Sequence, residues 1–180
     1  MDISSDTATG TTIIMAGGLG TRMGNPEKAL IMVDESPLIQ GVIAFGLSVT
    51  PDLRVCCSVN TPELCAYCDR KGLKYIRSGG RGYEQDIVEC LRAVHKFPVL
   101  VLPGDVFLHG TEILREAVRY AFSLDDDVIS ILQLGEYTGI SVFRRQPTSP
   151  PGTYSSLEIP VRFCVNINKP SDLSILKTYR

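Results

Sequence analysis

The sequence lacks the features that mark membrane proteins, secreted proteins and nucleic-acid-binding proteins. It has no apolar run long enough to cross a bilayer, and its first ten residues are polar, without the charged and then apolar order of a signal peptide. Neither sign of charge is in excess, since 18 Lys and Arg stand against 20 Asp and Glu. This balance argues against a nucleic-acid partner and against a polybasic, membrane-facing patch. We expect a cytoplasmic protein without a membrane span.

Repeats and long linkers are also missing, and the chain does not need disulfides. A chain of 180 residues can bury one core without them. We therefore predict a single domain, residues 11–180, preceded by a polar extension, residues 1–10. The six cysteines are expected to be reduced. Cys65 and Cys68 have the C-x-x-C spacing of zinc and redox motifs, but no second pair and no paired histidines accompany them, so a buried helical position is the stronger interpretation.

The most informative feature is a strand that leads into a glycine-rich loop with one arginine and one lysine. Residues 11–15 are short, β-branched and apolar, as a buried parallel strand should be. The loop that follows reads Ala-Gly-Gly-Leu-Gly-Thr-Arg-Met-Gly-Asn-Pro-Glu-Lys from Ala16 to Lys28. Its glycines let backbone N–H groups turn toward an anion, and Arg22 and Lys28 add positive charge. This composition predicts a polyphosphate site.

Two commoner phosphate loops fail on spacing. A Walker A loop needs Gly-x-x-x-x-Gly-Lys-Ser/Thr, and no glycine here is followed by lysine and a hydroxyl residue. A dinucleotide fingerprint needs G-x-G-x-x-G, whereas Gly18, Gly20 and Gly24 are spaced G-x-G-x-x-x-G. The second predicted strand also ends at Val59-Asn60 without the acid that would bind a ribose.

The rest of the chain alternates strand-like and helix-like segments, which is typical of an α/β fold. The predicted strands are residues 11–15, 53–59, 73–77, 98–102 and 128–132; the predicted helices are residues 38–47, 62–71 with Thr61 as N-cap, 83–95, a segment after Thr111, and one from Pro170 to the C-terminus. We predict a Rossmann-like open sheet, mostly parallel, with helices on both faces. Extended segments at 137–143 and 159–165 predict a small antiparallel addition. The proline-rich connection 144–152 is either an acceptor-site loop or lid, or a plain surface loop.

Two polar residues stand where this fold places its ligands. Asp105 follows a hydrophobic strand and should face the glycine-rich loop at the same sheet edge. One carboxylate together with substrate phosphates is a common way to hold Mg²⁺, so we predict a divalent-cation site at Asp105. Asn166 is a candidate neutral second ligand. The alternative for Asp105 is a turn or helix-cap residue.

A third glycine-rich segment, Ser78-Gly79-Gly80-Arg81-Gly82-Tyr83, lies between a predicted strand and a predicted helix. Its backbone is placed to close over a base or ribose, with Gly82 allowing a near approach and Arg81 offering charge. A tight turn without a ligand is an equal alternative.

Ala-Gly-Gly-x-Gly-Thr-Arg-Met-Gly with a lysine shortly after resembles the signature of nucleotidyltransferases that activate phosphorylated acceptors with nucleoside triphosphates. The order of this motif, then G-x-G-Y-x-x-D with Glu-Cys following, G-I-x-V, and N-I-N-x-x-x-D-L, resembles the archaeal adenosylcobinamide-phosphate guanylyltransferases within the molybdopterin-guanylyltransferase-like superfamily. The resemblance implies a nucleotide-diphospho-sugar transferase type of fold. It also implies transfer of GMP from GTP to adenosylcobinamide phosphate, which releases pyrophosphate in cobalamin biosynthesis.

The resemblance and the loop together define the expected site. Arg22, Lys28 and Asp105 are the expected catalytic residues; the expected nucleotide-binding residues are Ala16, Gly17, Gly18, Gly20, Thr21, Arg22, Lys28, Gly80, Gly82 and Gly139; and the expected metal ligands are Asp105 and Asn166. The expected partners are GTP, a phosphorylated corrinoid and a divalent cation such as Mg²⁺, and a homodimer is left open. The alternatives are a molybdopterin guanylyltransferase, a sugar-phosphate nucleotidyltransferase, or a module that senses GTP without turnover.

Overall fold

The computed structural model describes residues 9–148 and 152–179. Residues 1–8 of the predicted extension and residues 149–151 of the predicted proline-rich connection lie outside the described residues, as does the last residue of the predicted C-terminal helix.

The described strands form one large sheet and two small ones. The strands are β1 (Thr11–Met15), β2 (Met32–Val33), β3 (Ser36–Pro37), β4 (Asp52–Ser58), β5 (Tyr75–Ser78), β6 (Val99–Pro103), β7 (Val106–Leu108), β8 (Val128–Gln133), β9 (Glu136–Phe143), β10 (Tyr154–Ile159) and β11 (Cys164–Asn166). The large sheet has the order β10-β8-β9-β6-β1-β4-β5. Its pairs are parallel except those of β9, which is antiparallel to both β6 and β8. The mostly parallel sheet with an antiparallel addition is therefore confirmed.

The C-terminal part of the sheet differs from the prediction in two ways. Strand β10 was not predicted, because its side chains alternate between exposed and half-buried at the sheet edge and so carry little apolar periodicity. The predicted extended segment 159–165 is wrong over most of its length. Its first residue, Ile159, ends β10, and its last two, Cys164 and Val165, belong to β11, which leaves the main sheet and pairs with β7.

The helices agree more closely with the sequence. They are α1 (Leu38–Val49), α2 (Pro62–Lys71), α3 (Tyr83–Arg92), α4 (Thr111–Ser123) and the short α5 (Asp172–Ile175), which continues as a 3₁₀ helix (Leu176–Tyr179). Helix α3 ends one turn earlier than predicted, since the Ala93 N–H closes the last turn on the carbonyls of Glu89 and Cys90. His95 therefore lies beyond the helix.

Alternate residues of the central strands face opposite layers of helices, as a doubly covered sheet requires. Ile13, Val99 and Val101 pack in one cluster with α3. Ile14, Leu100 and Leu102 pack in another with α1, α2 and α4. The predicted helices on both faces are confirmed.

This arrangement brings three loops to one edge of the sheet. Met15 at the end of β1 lies opposite Cys56 of β4 and Pro103 of β6, so the segments that follow β1 and β6 start side by side. The segment after β5 leads into α3 at the same edge, because β5 runs parallel to β4. In an open parallel sheet, ligands bind beyond the carboxyl ends of the strands.

Candidate active site

The glycine-rich segment from Ala16 to Lys28, called here the signature loop, closes on itself around Gly20. The Gly20 carbonyl accepts hydrogen bonds from the N–H groups of Met23 at 3.0 Å and Asn25 at 3.2 Å. Gly20 has a positive φ of 61°, and a Cβ there would lie 2.0 Å from the Asn25 carbonyl oxygen. Only glycine can adopt this conformation and leave that space, so Gly20 shapes the loop.

Gly17 and Gly18 have different surroundings. The Gly17 carbonyl accepts a 2.6 Å hydrogen bond from Ser58 Oγ, and a Cβ on Gly17 would lie 3.0 Å from Ser58 Cβ. Gly17 therefore packs the loop against β4. Gly18 is exposed, and no atom of the described residues lies within 4 Å of where its Cβ would be. Packing does not account for glycine at position 18, whereas a ligand that approaches the backbone would.

Lys28 and Asp105 form an ion pair across this edge of the sheet. Lys28 opens the 3₁₀ helix Lys28–Leu30, whose Ala29 is buried and anchors that turn. Asp105 lies in the turn between β6 and β7. The two side chains are 22% and 17% exposed, so the pair is partly shielded but open to a ligand. The structure thus brings together two of the three residues predicted to be catalytic.

Glu27 ties the signature loop to helix α2, a contact that the sequence did not predict. Its carboxylate accepts hydrogen bonds from the N–H groups of Glu63 at 2.8 Å and Leu64 at 3.2 Å, the first turn of α2. Burial raises the pKa of Glu27, and these two bonds oppose the rise. Thr61 stands at the predicted N-cap, but its Oγ1 accepts the Ser58 N–H instead, at 2.9 Å. The cap thus comes from an acid 36 residues earlier in the chain.

Asn166 lies beside Asp105 through the β7–β11 pair. It is opposite Val106 in the register, and the next residue, Ile167, donates its N–H to the Asp105 carbonyl at 2.8 Å. The Asn166 amide nitrogen donates to the Thr138 carbonyl at 3.3 Å. Its Oδ1 is buried without a hydrogen-bond partner among the described residues. An orphaned oxygen on a residue whose neighbour is hydrogen-bonded to Asp105 suits a hard cation, which takes oxygen ligands.

The segment after β5 is held by acids of helix α3. The Gly79 N–H donates to Glu89 at 2.8 Å, and the Gly80 N–H donates to Asp86 at 2.9 Å. Arg81 forms an ion pair with Glu89 at 2.6 Å, and this hydrogen bond lowers the pKa of Glu89. The prediction left this backbone and Arg81 available to a nucleotide. Two of the amides and the guanidinium are instead engaged within the protein.

One cavity joins the signature loop, the end of β6 and the start of α3. Its lining residues are Met15, Ala16, Gly17, Gly18, Lys28, Ala29, Tyr83, Asp86, Pro103 and Asp105. Five of the predicted site residues are among them: Ala16, Gly17, Gly18, Lys28 and Asp105.

The other predicted residues do not line this cavity. Thr21 and Arg22 are exposed on the signature loop. Gly82 has a φ of 125° at the start of α3, and nothing in the described residues would contact a Cβ there. Gly139 has a φ of 82°, and a Cβ there would touch Pro103 at 3.4 Å. Gly80 and Asn166 are placed by the contacts given above.

Neither cysteine nor histidine contributes to this cavity. All six cysteines are free and buried, including Cys65 and Cys68 within α2. The described residues contain no group of three or more His, Cys, Asp and Glu that could hold a metal ion. In the part of the chain that the structure describes, no helix is long and apolar enough to span a membrane.

Sequence comparison shows the class of protein, a nucleotidyltransferase, and the fold agrees with it. A sequence model of the MobA-like NTP transferase domain matches residues 12–150, and the chain belongs to this family. It is an enzyme of the nucleotidyltransferase class.

Among individual proteins, adenosylcobinamide-phosphate guanylyltransferase from Methanocaldococcus jannaschii is 30% identical over an alignment of 184 positions, gaps included. The alignment covers 91% of this chain and 93% of that protein. A molybdenum cofactor guanylyltransferase from Pseudomonas putida is also 30% identical, over 61% of this chain and 56% of that protein. The solved structure of HddC from Yersinia pseudotuberculosis complexed with GMP-PN matches with a TM-score of 0.76 at 12% identity, covering 95% of this chain and 100% of that one. That likeness shows the fold, which is of the nucleotide-diphospho-sugar transferase type.

Proposed function

We propose that the protein transfers the guanylyl group of GTP to adenosylcobinamide phosphate, giving adenosylcobinamide-GDP and pyrophosphate. The observation that carries this proposal is the similarity to an adenosylcobinamide-phosphate guanylyltransferase over nearly the whole of both chains. The cavity supports it, because the bare glycine backbone of the signature loop and the Lys28–Asp105 ion pair line the same cavity.

The reaction needs no protein nucleophile. The acceptor phosphate is largely ionised at neutral pH, since its second pKa is about 6. One of its oxygens attacks the α-phosphorus of GTP and forms the new P–O bond. The bond between the α-phosphorus and the bridging oxygen breaks, and pyrophosphate leaves with that electron pair. No proton has to be removed by the enzyme, which agrees with the absence of histidine and cysteine from the cavity lining.

The chain's own contribution is positioning and charge. The N–H groups of Gly17 and Gly18 turn toward the phosphates, and Arg22 and Lys28 neutralise them. Lys28 exchanges its contact with Asp105 for a phosphate oxygen when GTP binds, so the ion pair keeps both groups in place beforehand. Glu27 holds the end of the signature loop against α2 while this exchange takes place.

Asp105 and Asn166 would hold a divalent cation, Mg²⁺ by the chemistry of their oxygens. Such an ion would supply charge stabilisation at the α-phosphate and at the leaving pyrophosphate. Once Lys28 turns to the phosphates, the Asp105 carboxylate is released for this role.

Pyrophosphate release measured with each acceptor in turn tests the proposal. Adenosylcobinamide phosphate should support release from GTP in the presence of Mg²⁺, and molybdopterin or a sugar 1-phosphate should support much less. Release with molybdopterin alone would favour a second candidate function, guanylyl transfer to molybdopterin. The shorter match to molybdenum cofactor guanylyltransferases supports that candidate. GTP binding without release for any acceptor would indicate a sensor.

A further inference from the structure

The cavity has a second wall that the reaction described above does not use. Lys28 precedes Ala29, which packs in the layer of α1, α2 and α4. Helix α3, which carries Tyr83 and Asp86, packs in the layer on the other face of the sheet, and all four residues line the cavity. The phosphates belong with the cations and the signature loop. The base of a bound nucleotide therefore belongs with Tyr83 and Asp86.

Asp86 is a buried acid with spare hydrogen-bonding capacity. It is 2% exposed, yet it lines the cavity. Oδ1 accepts the Gly80 N–H at 2.9 Å, and the other oxygen has no hydrogen-bond partner among the described residues. The described residues also place no cation in an ion pair with Asp86. That second oxygen is not sealed inside the protein, so it can accept a hydrogen bond from a ligand in the cavity.

Tyr83 complements this acid with an aromatic surface. It precedes Asp86 by one helical turn, so both side chains leave α3 on the same side. It is 53% exposed, which is unusual for an aromatic residue at a cavity wall and leaves ring surface for a planar ligand. Bases stack on aromatic side chains with little regard to their identity. Tyr83 therefore suits any purine, and the choice among purines falls to Asp86.

We infer that Asp86 selects guanine over adenine by accepting hydrogen bonds from the guanine N1–H and 2-amino groups. An ionised carboxylate only accepts. Guanine presents two donors on that edge, whereas adenine presents the unprotonated N1, which would face the carboxylate with a lone pair. The inference rests on the proposed function, whose nucleotide it specifies, and it replaces the prediction that the backbone of Gly79 to Gly82 reads the base.

Calorimetric binding of GTP and ATP to the full chain without acceptor tests this assignment. In Asp86→Asn, Oδ1 still accepts the Gly80 N–H, and the new amide points donors at the guanine donors. The GTP-over-ATP affinity ratio should fall roughly tenfold or more. Glu89→Gln is the matched control, because Glu89 holds the same loop through Gly79 and Arg81 but does not line the cavity. It should keep the ratio of the parent.

An unchanged ratio in Asp86→Asn, or an equal fall in Glu89→Gln, would overturn the inference, since either result assigns Asp86 to loop support. If Asp86→Asn does not fold, NMR of GTP bound to the parent decides. The guanine N1 imino proton should be protected from exchange with water, and exchange as fast as in free GTP would overturn the inference. The proposed function fails separately, when a parent that prefers GTP releases no pyrophosphate with adenosylcobinamide phosphate.

Discussion

Two glycines of the signature loop, two positions apart, serve different purposes. Gly20 is required by the loop itself, since its φ of 61° and the nearby Asn25 carbonyl exclude a side chain. Gly18 has open space around it and lines the cavity. Glycine is therefore needed for the loop conformation at position 20 and for the approach of a ligand at position 18.

This difference predicts opposite outcomes for two alanine variants. Gly20→Ala should lower the free energy of unfolding by about 2 kcal/mol or more, because a left-handed conformation alone costs roughly 1–2 kcal/mol for a residue with a Cβ. Gly18→Ala should fold normally but bind GTP roughly tenfold more weakly or worse, because the added methyl group holds the phosphate away from the backbone N–H and weakens a charge-assisted hydrogen bond. Urea unfolding and calorimetry check both. Normal GTP binding by Gly18→Ala would contradict the role given to its backbone.

Replacing either cation of the signature loop should weaken the binding of ligands that carry phosphates and leave the binding of guanosine unchanged. Lys28→Ala and Arg22→Ala should each weaken GTP binding or turnover by roughly 1–3 kcal/mol, the range for charge-assisted hydrogen bonds. Guanosine should bind both variants as it binds the parent. Lys74→Ala is the control, since Lys74 also pairs with an aspartate, Asp52 at 3.5 Å, but not in the cavity. If both variants turned over GTP normally, the phosphate-binding role of the loop would be wrong.

Replacing Asp105 should change the rate of pyrophosphate release more than the affinity for GTP. Asp105→Asn should fold, because the side chain lies in a turn at an accessible edge, and should bind GTP with little loss. Its Mg²⁺-stimulated rate should fall far more, since a cation that neutralises charge on the departing pyrophosphate acts mainly in the transition state. A Mg²⁺ titration of pyrophosphate release measures this. A curve that matches the parent would remove Asp105 from the reaction.

At the scale of the element, the start of helix α2 is joined to the signature loop by a side chain from outside the helix. Glu27 satisfies the N–H groups of Glu63 and Leu64, which the helix itself leaves unbonded, and its negative charge suits the positive end of the helix dipole. Glu27 is also the residue directly before Lys28 in the chain. The helix end and the position of the lysine are therefore coupled.

Glu27→Ala tests this coupling. Loss of the cap should lower the free energy of unfolding by about 1 kcal/mol, and kcat should fall as Lys28 loses its support. Glu27→Gln keeps one acceptor oxygen and should recover part of both losses. Glu63→Ala is the control, since Glu63 lies in the same helical turn but receives the cap through its backbone. A Glu27→Ala variant with reduced stability and unchanged kcat would leave Glu27 a structural cap only.

At the scale of the whole molecule, the central sheet divides the core into two layers that together bury every cysteine. Cys57, Cys65 and Cys68 belong to the layer with α1, α2 and α4, and Cys56 and Cys90 belong to the layer with α3. The thiols therefore become accessible only when the layers separate. Burial raises the pKa of Cys164 to about 12, which further lowers its reactivity.

Thiol labelling should consequently report global unfolding. In the native protein, the six cysteines should react with an aromatic disulfide reagent far more slowly than an exposed thiol, and all six should react at once in denaturant. The labelling rate should follow urea concentration as unfolding does. Rapid native labelling of Cys65 and Cys68 would instead reopen the redox interpretation of the C-x-x-C pair.

Local signals in the chain were sufficient for most of the architecture and for one half of the site. Strand β1 and helix α2 have the predicted bounds. Both patterns, a buried apolar run and a helix that begins with proline, depend only on residues that are adjacent in sequence. The signature loop was recognisable for the same reason. Strand β10 was missed, since an edge strand exposed on alternate residues leaves little apolar pattern.

The other half of the site was decided by tertiary structure alone. The sequence predicted that Asp105 would face the signature loop, but only the sheet order pairs it with Lys28 in particular. Docking of α3 buries Asp86 at the cavity wall and turns Glu89 onto the loop after β5. The approach of the signature loop to α2 makes Glu27 its cap. The contacts of Lys28 with Asp105 and of Glu27 with α2 join residues far apart in the chain. Whether an acid is buried, paired or open to a ligand depends on neighbours that no local pattern specifies.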